Sequence, residues 1–188
     1  MIKLHYGGSD HFFEEKDILY PGLHYSRLCN IESDINQHLP TLKLYGQKCK
    51  TITEMGVRYG CSTWAFIEAK PEKLNCYDIT IEPFKPSEPF VKKICNDYKI
   101  KYNFFIADSI QTDIEITDLL FIDTLHTYNQ LICELTKHSK NVNKYIILHD
   151  TTLFGYSDEY VYEHASEIVK KSTIHKRGLM EAVNDFIS

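Results

Sequence analysis

Residues 51–66, TITEMGVRYGCSTWAF, place a carboxylate and two glycines where a predicted strand runs into a predicted helix. Glu54, Gly56 and Gly60 follow the spacing E-x-G-x-x-x-G. Glycines permit a tight turn and let backbone N–H groups approach a ligand closely. The spacing differs from the G-x-G-x-x-G of dinucleotide-binding proteins and therefore disfavours NAD. An ordinary strand-to-helix turn is the alternative interpretation.

Acidic and hydroxyl side chains near the next strand ends extend this candidate cofactor site. Asp78 ends the second predicted strand, where its carboxylate can accept hydrogen bonds from ribose hydroxyls. Asp108 follows the third strand, placed to bind an adenine amino group, with Ser109 beside it. Ser62 and Thr63 can bind a cofactor carboxylate at a helix N-terminus. Ligands of open α/β sheets bind beyond the carboxyl ends of strands, so these turns predict one crevice, with plain capping as the alternative.

A second group of residues has the chemistry of a metal site. Asp123 ends the fourth predicted strand, and His149 with Asp150 ends the fifth. Carboxylate oxygens suit Mg²⁺, whereas the nitrogen of His149 shifts the preference toward Mn²⁺ or a similar transition ion. His126 is the candidate general base, because an imidazole near its ordinary pKa can take a hydroxyl proton at neutral pH. Loop capping is the alternative for the carboxylates, and a hydrogen bond within its own loop is the alternative for His126.

The elements that must position these residues alternate between β-rich and helix-like segments beyond residue 50. This alternation predicts an α/β fold with a parallel sheet covered on both faces. The predicted strands are residues 50–55, 74–79, 102–107, 118–123 and 144–149. The predicted helices are residues 31–45, 62–70, 89–98, 127–142 and 178–188, with Pro40 starting a second turn or a kink in the first and Ser62 capping the second.

Composition limits the classes of function that the chain can have. Its 188 residues predict a single domain, with an N-terminal cover at 1–30, a helical lead-in at 31–46 and a core at 50–188. The net charge of −5 without a basic run argues against nucleic acid as substrate. No apolar stretch has the length of a membrane span or of a signal region, which predicts a cytoplasmic protein without membrane attachment. Six scattered cysteines, with no CxxC pair, suggest neither a zinc site nor a redox motif.

Four motifs in order, EMGVRYGCST, FIDTLHTYNQL, YIILHDTT and GLMEAVNDFI, resemble those of class I S-adenosylmethionine (SAM)-dependent methyltransferases. The resemblance covers residues 31–188 and is strongest to the cephalosporin hydroxylase-like and macrocin O-methyltransferase-like branch. It implies a doubly wound, Rossmann-like, mostly parallel sheet. It also implies a SAM pocket lined by Glu54, Gly56, Gly60, Asp78 and Asp108. Metal-binding carboxylates are implied at Asp123 and Asp150, although some relatives have an acidic residue at the position of His149.

The activity that the resemblance implies is O-methylation of a sugar or another small hydroxylated metabolite. A divalent ion at Asp123 and Asp150 would lower the pKa of the acceptor hydroxyl while His126 removes its proton. Residues 152–176 are the predicted lid over the acceptor. A methyltransferase that needs no metal, and a SAM- or nucleotide-binding module without catalysis, are the alternatives, and a nicotinamide-dependent oxidoreductase is a distant third.

The end of the chain predicts an incomplete version of the usual sheet. In the resembled fold two further strands follow the last predicted helix, and the final one lies antiparallel beside the fifth strand. Here the chain stops at Ser188, which leaves residues 145–148 as an edge strand with unpaired backbone groups. Either the chain is a fragment of a longer product, or residues 155–171 or a second subunit cover the edge. We favour a homo-oligomeric partner.

Overall fold

The computed structural model describes residues 1–163, 165–172 and 174–188, and it opens with a β-hairpin. Strand β1 (Ile2–Tyr6) pairs antiparallel with β2 (Ser9–Phe13), and two short helices follow, α1 (Glu15–Ile18) and α2 (Pro21–Leu28). Leu4, Tyr6 and Phe13 are buried in the main core. The cover predicted for residues 1–30 is therefore a folded part of that core rather than a partly ordered layer above it.

The lead-in contains one short helix instead of the predicted helix over 31–45, and of the two predictions for Pro40 the start of a new turn is the one confirmed. A 3-10 turn at Asn36–His38 leads into α3 (Leu39–Gly46), which has Pro40 in its first turn. Proline lacks a backbone N–H and is tolerated at a helix start, where that donor would have no partner in the helix. Pro40 therefore marks where this helix begins.

Among the described residues, the core contains five strands and five helices, which alternate except that β6 follows β5 directly and two helices follow β7. In chain order they are β3 (Thr51–Met55), α4 (Cys61–Ala69), β4 (Lys73–Asp78), α5 (Glu88–Asp97), β5 (Lys101–Ile106), β6 (Thr117–Ile122), α6 (Tyr128–His138), β7 (Val142–Leu148), α7 (Glu167–Lys170) and α8 (Leu179–Ile187). The five predicted strands are confirmed, with ends that differ by at most two residues. Helix α6 stops at His138, short of the predicted 142, because a 3-10 turn at Ser139–Asn141 leads directly into β7.

The sheet is parallel throughout, with the strand order β5-β4-β3-β6-β7. The chain builds outward from β3 in one direction and then resumes at β6 on its other side. This reversal creates a switch point at the carboxyl ends of β3 and β6, where ligands of such sheets bind. The predicted doubly wound fold is confirmed. Among the described residues no strand pairs with the outer side of β7, so the predicted covering partner stays a prediction.

Helices bury both faces of the sheet. In β6, Leu119 and Phe121 face one core layer, and Leu120 and Ile122 face the other. Helices α2 to α5 pack on the first face, with Trp64 fully buried, and α6 packs with α8 on the second. A strand buried on both faces loses the alternating pattern of a half-exposed strand, as the run TDLLFI illustrates. None of the described helices has the length and apolar character needed to cross a bilayer.

Candidate functional site

The loop from β3 to α4 lies against the end of β6. Gly56 has a φ of 84°, and a Cβ there would overlap the backbone carbonyl of Asp123. Gly60 has a φ of 85° and is the N-cap of α4, with the ring of Phe84 only 2.5 Å from where a Cβ would stand. Both positions therefore require glycine. The helix begins at Cys61, so the prediction that Ser62 caps it is wrong.

Glu54 lies behind this loop and not in a cavity. Its side chain is fully buried and accepts hydrogen bonds from the Ser62 hydroxyl, from Thr63 Oγ1 at 2.7 Å and from Cys76 Sγ at 3.1 Å. Burial raises the pKa of Glu54 to about 7, although the three hydrogen bonds oppose that rise. Glu54 and Thr63 thus hold the loop onto α4 from inside, which corrects their expected contact with the cofactor.

A cavity of about 410 Å³ opens at the switch point. Six predicted site residues line it: Gly56, Asp78, Asp108, Ser109, Asp123 and His126. Other lining residues were not predicted, among them Tyr77, Thr124, Gln130, Glu159, Tyr162 and Ser166. A smaller cavity of about 240 Å³ adjoins it and contains Ser62, Tyr59 and the Gly7–Gly8 turn of the hairpin. Asp34, Arg58 and Asp123 line both cavities. Gly60 lines neither of them.

The two carboxylates at the ends of β4 and β5 also shape the loops around the cavity. Asp78 Oδ2 accepts hydrogen bonds from the backbone N–H groups of Val57 at 2.8 Å and Arg58 at 2.9 Å. Asp108 Oδ1 accepts one from the backbone N–H of Ile110 at 2.9 Å. A carboxylate has about four lone-pair directions, so both side chains can accept further bonds from a ligand in the cavity.

A second fully buried glutamate lies behind the opposite wall. Glu134 on α6 accepts hydrogen bonds from Ser109 Oγ at 2.5 Å, Thr124 Oγ1 at 2.8 Å and Gln130 Nε2 at 2.7 Å. Burial raises its pKa to about 6, against the opposing effect of those three bonds. The Ser109 hydroxyl is therefore already engaged behind the wall. The signal in the sequence is a polar pair four residues apart, Gln130 and Glu134, beside the apolar stripe of α6.

Four side chains converge next to the glycine loop. Asp123, His126, His149 and Asp150 each place a ligand atom within 4.8 Å of the others. Asp123 Oδ1 lies 3.1 Å from His126 Nε2 and 3.2 Å from His149 Nδ1. Asp150 lies 3.5 Å from His126 Nε2 through Oδ2 and 3.4 Å from His149 Nδ1 through Oδ1. Asp150 has a φ of 52°, in the left-handed region.

The charges within this cluster oppose the effect of burial. Burial alone would raise the pKa of Asp123, but His126 and His149 lower it to about 2. Burial alone would lower the pKa of His149, but the neighbouring carboxylates of Asp123 and Asp150 raise it. The same two carboxylates, with Glu159, raise the pKa of His126 above its ordinary value. The predicted metal residues and the predicted base thus form one interacting group.

Residue Glu159, which the sequence analysis did not single out, orients His126. Its Oε2 lies 2.8 Å from His126 Nδ1 and also accepts the His126 backbone N–H at 3.2 Å. The imidazole stacks on the ring of Phe154, 5.0 Å away and parallel within 1°. Within the described part of the predicted lid, Glu159, Tyr162 and Ser166 line the larger cavity. The segment therefore contributes a wall of the site.

No protein-family model matches the chain, and no curated protein matches it either. Among solved structures, it is similar to the O-methyltransferase TomG from Streptomyces achromogenes, involved in tomaymycin synthesis and solved with SAM: TM-score 0.57, 13% identity, 93% of this chain and 77% of that one. It is also similar to the N-terminal domain of EvdMO1, which was solved in the presence of S-adenosylhomocysteine and D-fucose. The TM-score is 0.50 at 14% identity, and the match covers 94% of this chain and 88% of that one.

An O-methyltransferase from Bacillus cereus in complex with S-adenosylhomocysteine gives a TM-score of 0.45 at 14% identity, over 68% of this chain. The match spans 63% of that protein's length. At these identities, the likeness establishes only that this chain shares its fold with TomG and the N-terminal domain of EvdMO1.

Proposed function

We propose that this protein is a SAM-dependent methyltransferase that transfers a methyl group to a hydroxyl of a small acceptor, a sugar or a similar metabolite, with a divalent cation at Asp123 and Asp150. One observation carries the proposal. The glycine loop, Asp78 and Asp108 meet Asp123 and His126, two of the four cluster residues, around one cavity at the switch point of the sheet. The fold shared with SAM-bound O-methyltransferases supports it.

The two adjoining cavities suit the two halves of SAM. The larger one is within the usual size range of small-molecule sites, and Asp78 and Asp108 can accept bonds there from ribose hydroxyls and an adenine amino group. The smaller one is lined by Cys61 and Ser62 in the first turn of α4, where the backbone N–H groups of a helix N-terminus suit the methionine carboxylate. Asp123 lines both cavities, which puts the cluster beside the junction.

The reaction moves the methyl group from the sulfonium sulfur of SAM to the acceptor oxygen, whose proton is released, and it leaves S-adenosylhomocysteine. The chain must hold donor and acceptor close and aligned. A bound divalent cation would supply a lower pKa for the acceptor hydroxyl. Asp123, whose pKa is about 2, is ionised at neutral pH and can hold such a cation. His126 Nε2 can take the proton or bind the cation, but one lone pair cannot do both.

The charge of the cavity favours an uncharged acceptor. Its described lining includes the carboxylates of Asp34, Asp78, Asp108, Asp123 and Glu159. Arg58 is the only lysine or arginine in that lining, and it is paired with Asp34 at 3.2 Å. Like charges in a cleft raise the free energy of a bound anion. We therefore expect a neutral sugar to be methylated in preference to its phosphate ester.

Calorimetric titration with S-adenosylhomocysteine and with NAD tests the cofactor assignment. We expect a single site for S-adenosylhomocysteine and none for NAD, and a higher melting temperature with the first ligand alone, because a ligand that binds only the folded state stabilises it. Absence of binding by SAM and its product would contradict the proposal.

The reaction itself is tested with neutral sugars and their phosphate esters, before and after treatment with EDTA. Methyl transfer that survives removal of all divalent ions would show a methyltransferase that needs no metal. Tight SAM binding without transfer to any acceptor of a broad panel would instead show a binding module.

A further inference from the structure

We infer that Asp123, His126, His149 and Asp150 form a site for a transition metal ion such as Zn²⁺, Co²⁺, Fe²⁺ or Mn²⁺ in preference to Mg²⁺, with both imidazoles as ligands. The proposed function requires only a divalent cation on two carboxylates. This inference concerns the ion itself and does not depend on methyl transfer.

The state of His149 is the first reason. The residue is 6% exposed, and neither ring nitrogen has a hydrogen-bond partner among the described residues. Its Nδ1 lies 3.2 Å from Asp123 Oδ1 and 3.4 Å from Asp150 Oδ1, but it is not aligned for a hydrogen bond to either oxygen. A buried polar atom without a partner is destabilising, and such atoms are rare in folded proteins. An ion between Nδ1 and the two carboxylates would satisfy this nitrogen.

The orientation of His126 is the second reason. Its Nδ1 lies 2.8 Å from Glu159 Oε2, so the proton of a neutral ring belongs on Nδ1. Its Nε2 then presents a lone pair toward Asp123 at 3.1 Å and Asp150 at 3.5 Å. A histidine that binds a metal through one nitrogen usually donates its other N–H to a carboxylate or carbonyl. The Glu159 contact has that arrangement, and it comes from a residue 33 positions away in the chain.

The donor set decides which ions fit. Mg²⁺ takes oxygen ligands almost exclusively and holds its waters tightly, whereas imidazole suits Zn²⁺, Fe²⁺ and related ions. Two carboxylates with two neutral imidazoles carry a charge of about −2, which balances a dication. With its lone pair on the ion, His126 is a ligand and not the general base. The proton of an acceptor hydroxyl would then leave to solvent or to another group in the cavity.

Metal titration of the chelator-stripped chain, without SAM, tests the inference. We expect one Co²⁺ or Zn²⁺ per chain, bound at least about 100-fold more tightly than Mg²⁺. The visible absorption of bound Co²⁺ should change when His126 or His149 is replaced. The variants His126→Gln and His149→Gln should each lose at least about tenfold in Co²⁺ affinity, while His11→Gln in the hairpin should match the parent.

A variant outside the four ligands guards against misfolding. Glu159→Ala should lower Co²⁺ affinity by about tenfold, because the Nδ1–H of His126 loses its acceptor. The circular dichroism spectrum should remain that of the parent. Mg²⁺ binding as tight as Co²⁺ binding, or unchanged Co²⁺ affinity in folded His126→Gln and His149→Gln, would overturn the inference. If the parent chain bound Co²⁺ as expected but did not bind S-adenosylhomocysteine, only the proposed function would be contradicted.

Discussion

Two kinds of acidic side chain surround the same cavity, and they differ in which side of its wall they occupy. Glu54 and Glu134 are fully buried behind the wall, where each collects hydrogen bonds from hydroxyl groups. Asp78, Asp108 and Asp123 line the cavity itself. The difference follows from position, because the glutamates lie within β3 and α6, whereas the aspartates lie at or just beyond strand ends. The acids within an element stabilise the wall, and the acids at an element's end line the cavity.

The ionisation of the two kinds differs in the same way. Burial raises the pKa of Glu54 to about 7 and that of Glu134 to about 6, since no cationic partner offsets the loss of water. Partial burial also raises the pKa of Asp123, but two imidazoles outweigh this effect and lower it to about 2. Glu54 and Glu134 thus act mainly as hydrogen-bond acceptors, whereas Asp123 contributes a negative charge at neutral pH.

Removal of that charge should give the largest effect. We expect Asp123→Asn to lower methyl transfer by at least about 100-fold, the scale for losing a group that stabilises charge in the transition state. S-adenosylhomocysteine affinity should change little, because Asp78 and Asp108 remain. Turnover and calorimetry measure the two effects, and Asp113→Asn on an exposed loop is the control. Full turnover of Asp123→Asn in metal-free buffer would show that the ion has no catalytic role at this residue.

Truncation behind the wall should instead affect stability. We expect Glu54→Ala to lower the free energy of unfolding by about 3 kcal/mol, because it leaves the buried groups of Ser62, Thr63 and Cys76 without their acceptor. Denaturant titration measures the loss, and Glu82→Ala at an exposed site should stay within about 0.5 kcal/mol of the parent. A Glu54→Ala variant that is as stable as the parent but has lost its affinity for S-adenosylhomocysteine would contradict the assignment of Glu54 to a structural role behind the wall.

The pH dependence of stability offers a smaller effect. The folded-state pKa of Glu54, about 7, lies above the ordinary value of 4.5, so the folded chain holds this proton longer than the unfolded chain. Its contribution is full below about pH 4.5 and is lost as the pH rises toward 7, by about 2 kcal/mol between pH 4 and pH 6. The glutamine in Glu54→Gln cannot titrate. The difference in free energy of unfolding between the parent and this variant should therefore change by about 2 kcal/mol between pH 4 and pH 6. Parallel curves would show that the pKa of Glu54 is the same in the folded and the unfolded chain.

Asp78→Ala should have the smallest effect of the four. We expect S-adenosylhomocysteine to bind about tenfold more weakly, because the ribose hydroxyls lose an acceptor. Stability should fall by about 1 kcal/mol, because the backbone N–H groups of Val57 and Arg58 lose theirs. Calorimetry and denaturant titration separate the two changes, with the exposed Asp97→Ala as control. Unchanged affinity would show that Asp78, like Glu54, stabilises the wall of the cavity and does not bind the cofactor.

Much of this fold could be predicted because its strands are short apolar runs bounded by polar turns. The side chain of Glu54 could not be placed, since β3 is buried on both faces and its pattern does not show which face residue 54 occupies. The hairpin was missed because its second strand, SDHFF, shows no firm alternation of apolar and polar residues. Its local signal was the Gly7–Gly8 pair, a common two-residue turn between such strands.

The cluster residues could be predicted individually, but their arrangement could not. Asp123, His149 and Asp150 follow strand ends, which is a local signal. The contact of His126 with the same atoms depends on the path of the loop before α6, and Glu159 reaches it from a segment without regular structure. Such a contact leaves no periodicity in the sequence.

The left-handed backbone at Asp150 limits which side chains can occupy that position. Glycine adopts it freely, asparagine and aspartate tolerate it, and most other residues are strained there. Aspartate is the one type in this group that carries a negative charge, so glutamate, the usual replacement, is a poor substitute. Selection for stability alone would favour glycine and relieve the strain, while selection for activity would retain the carboxylate. Stability and activity therefore favour different residues at this one position of the chain.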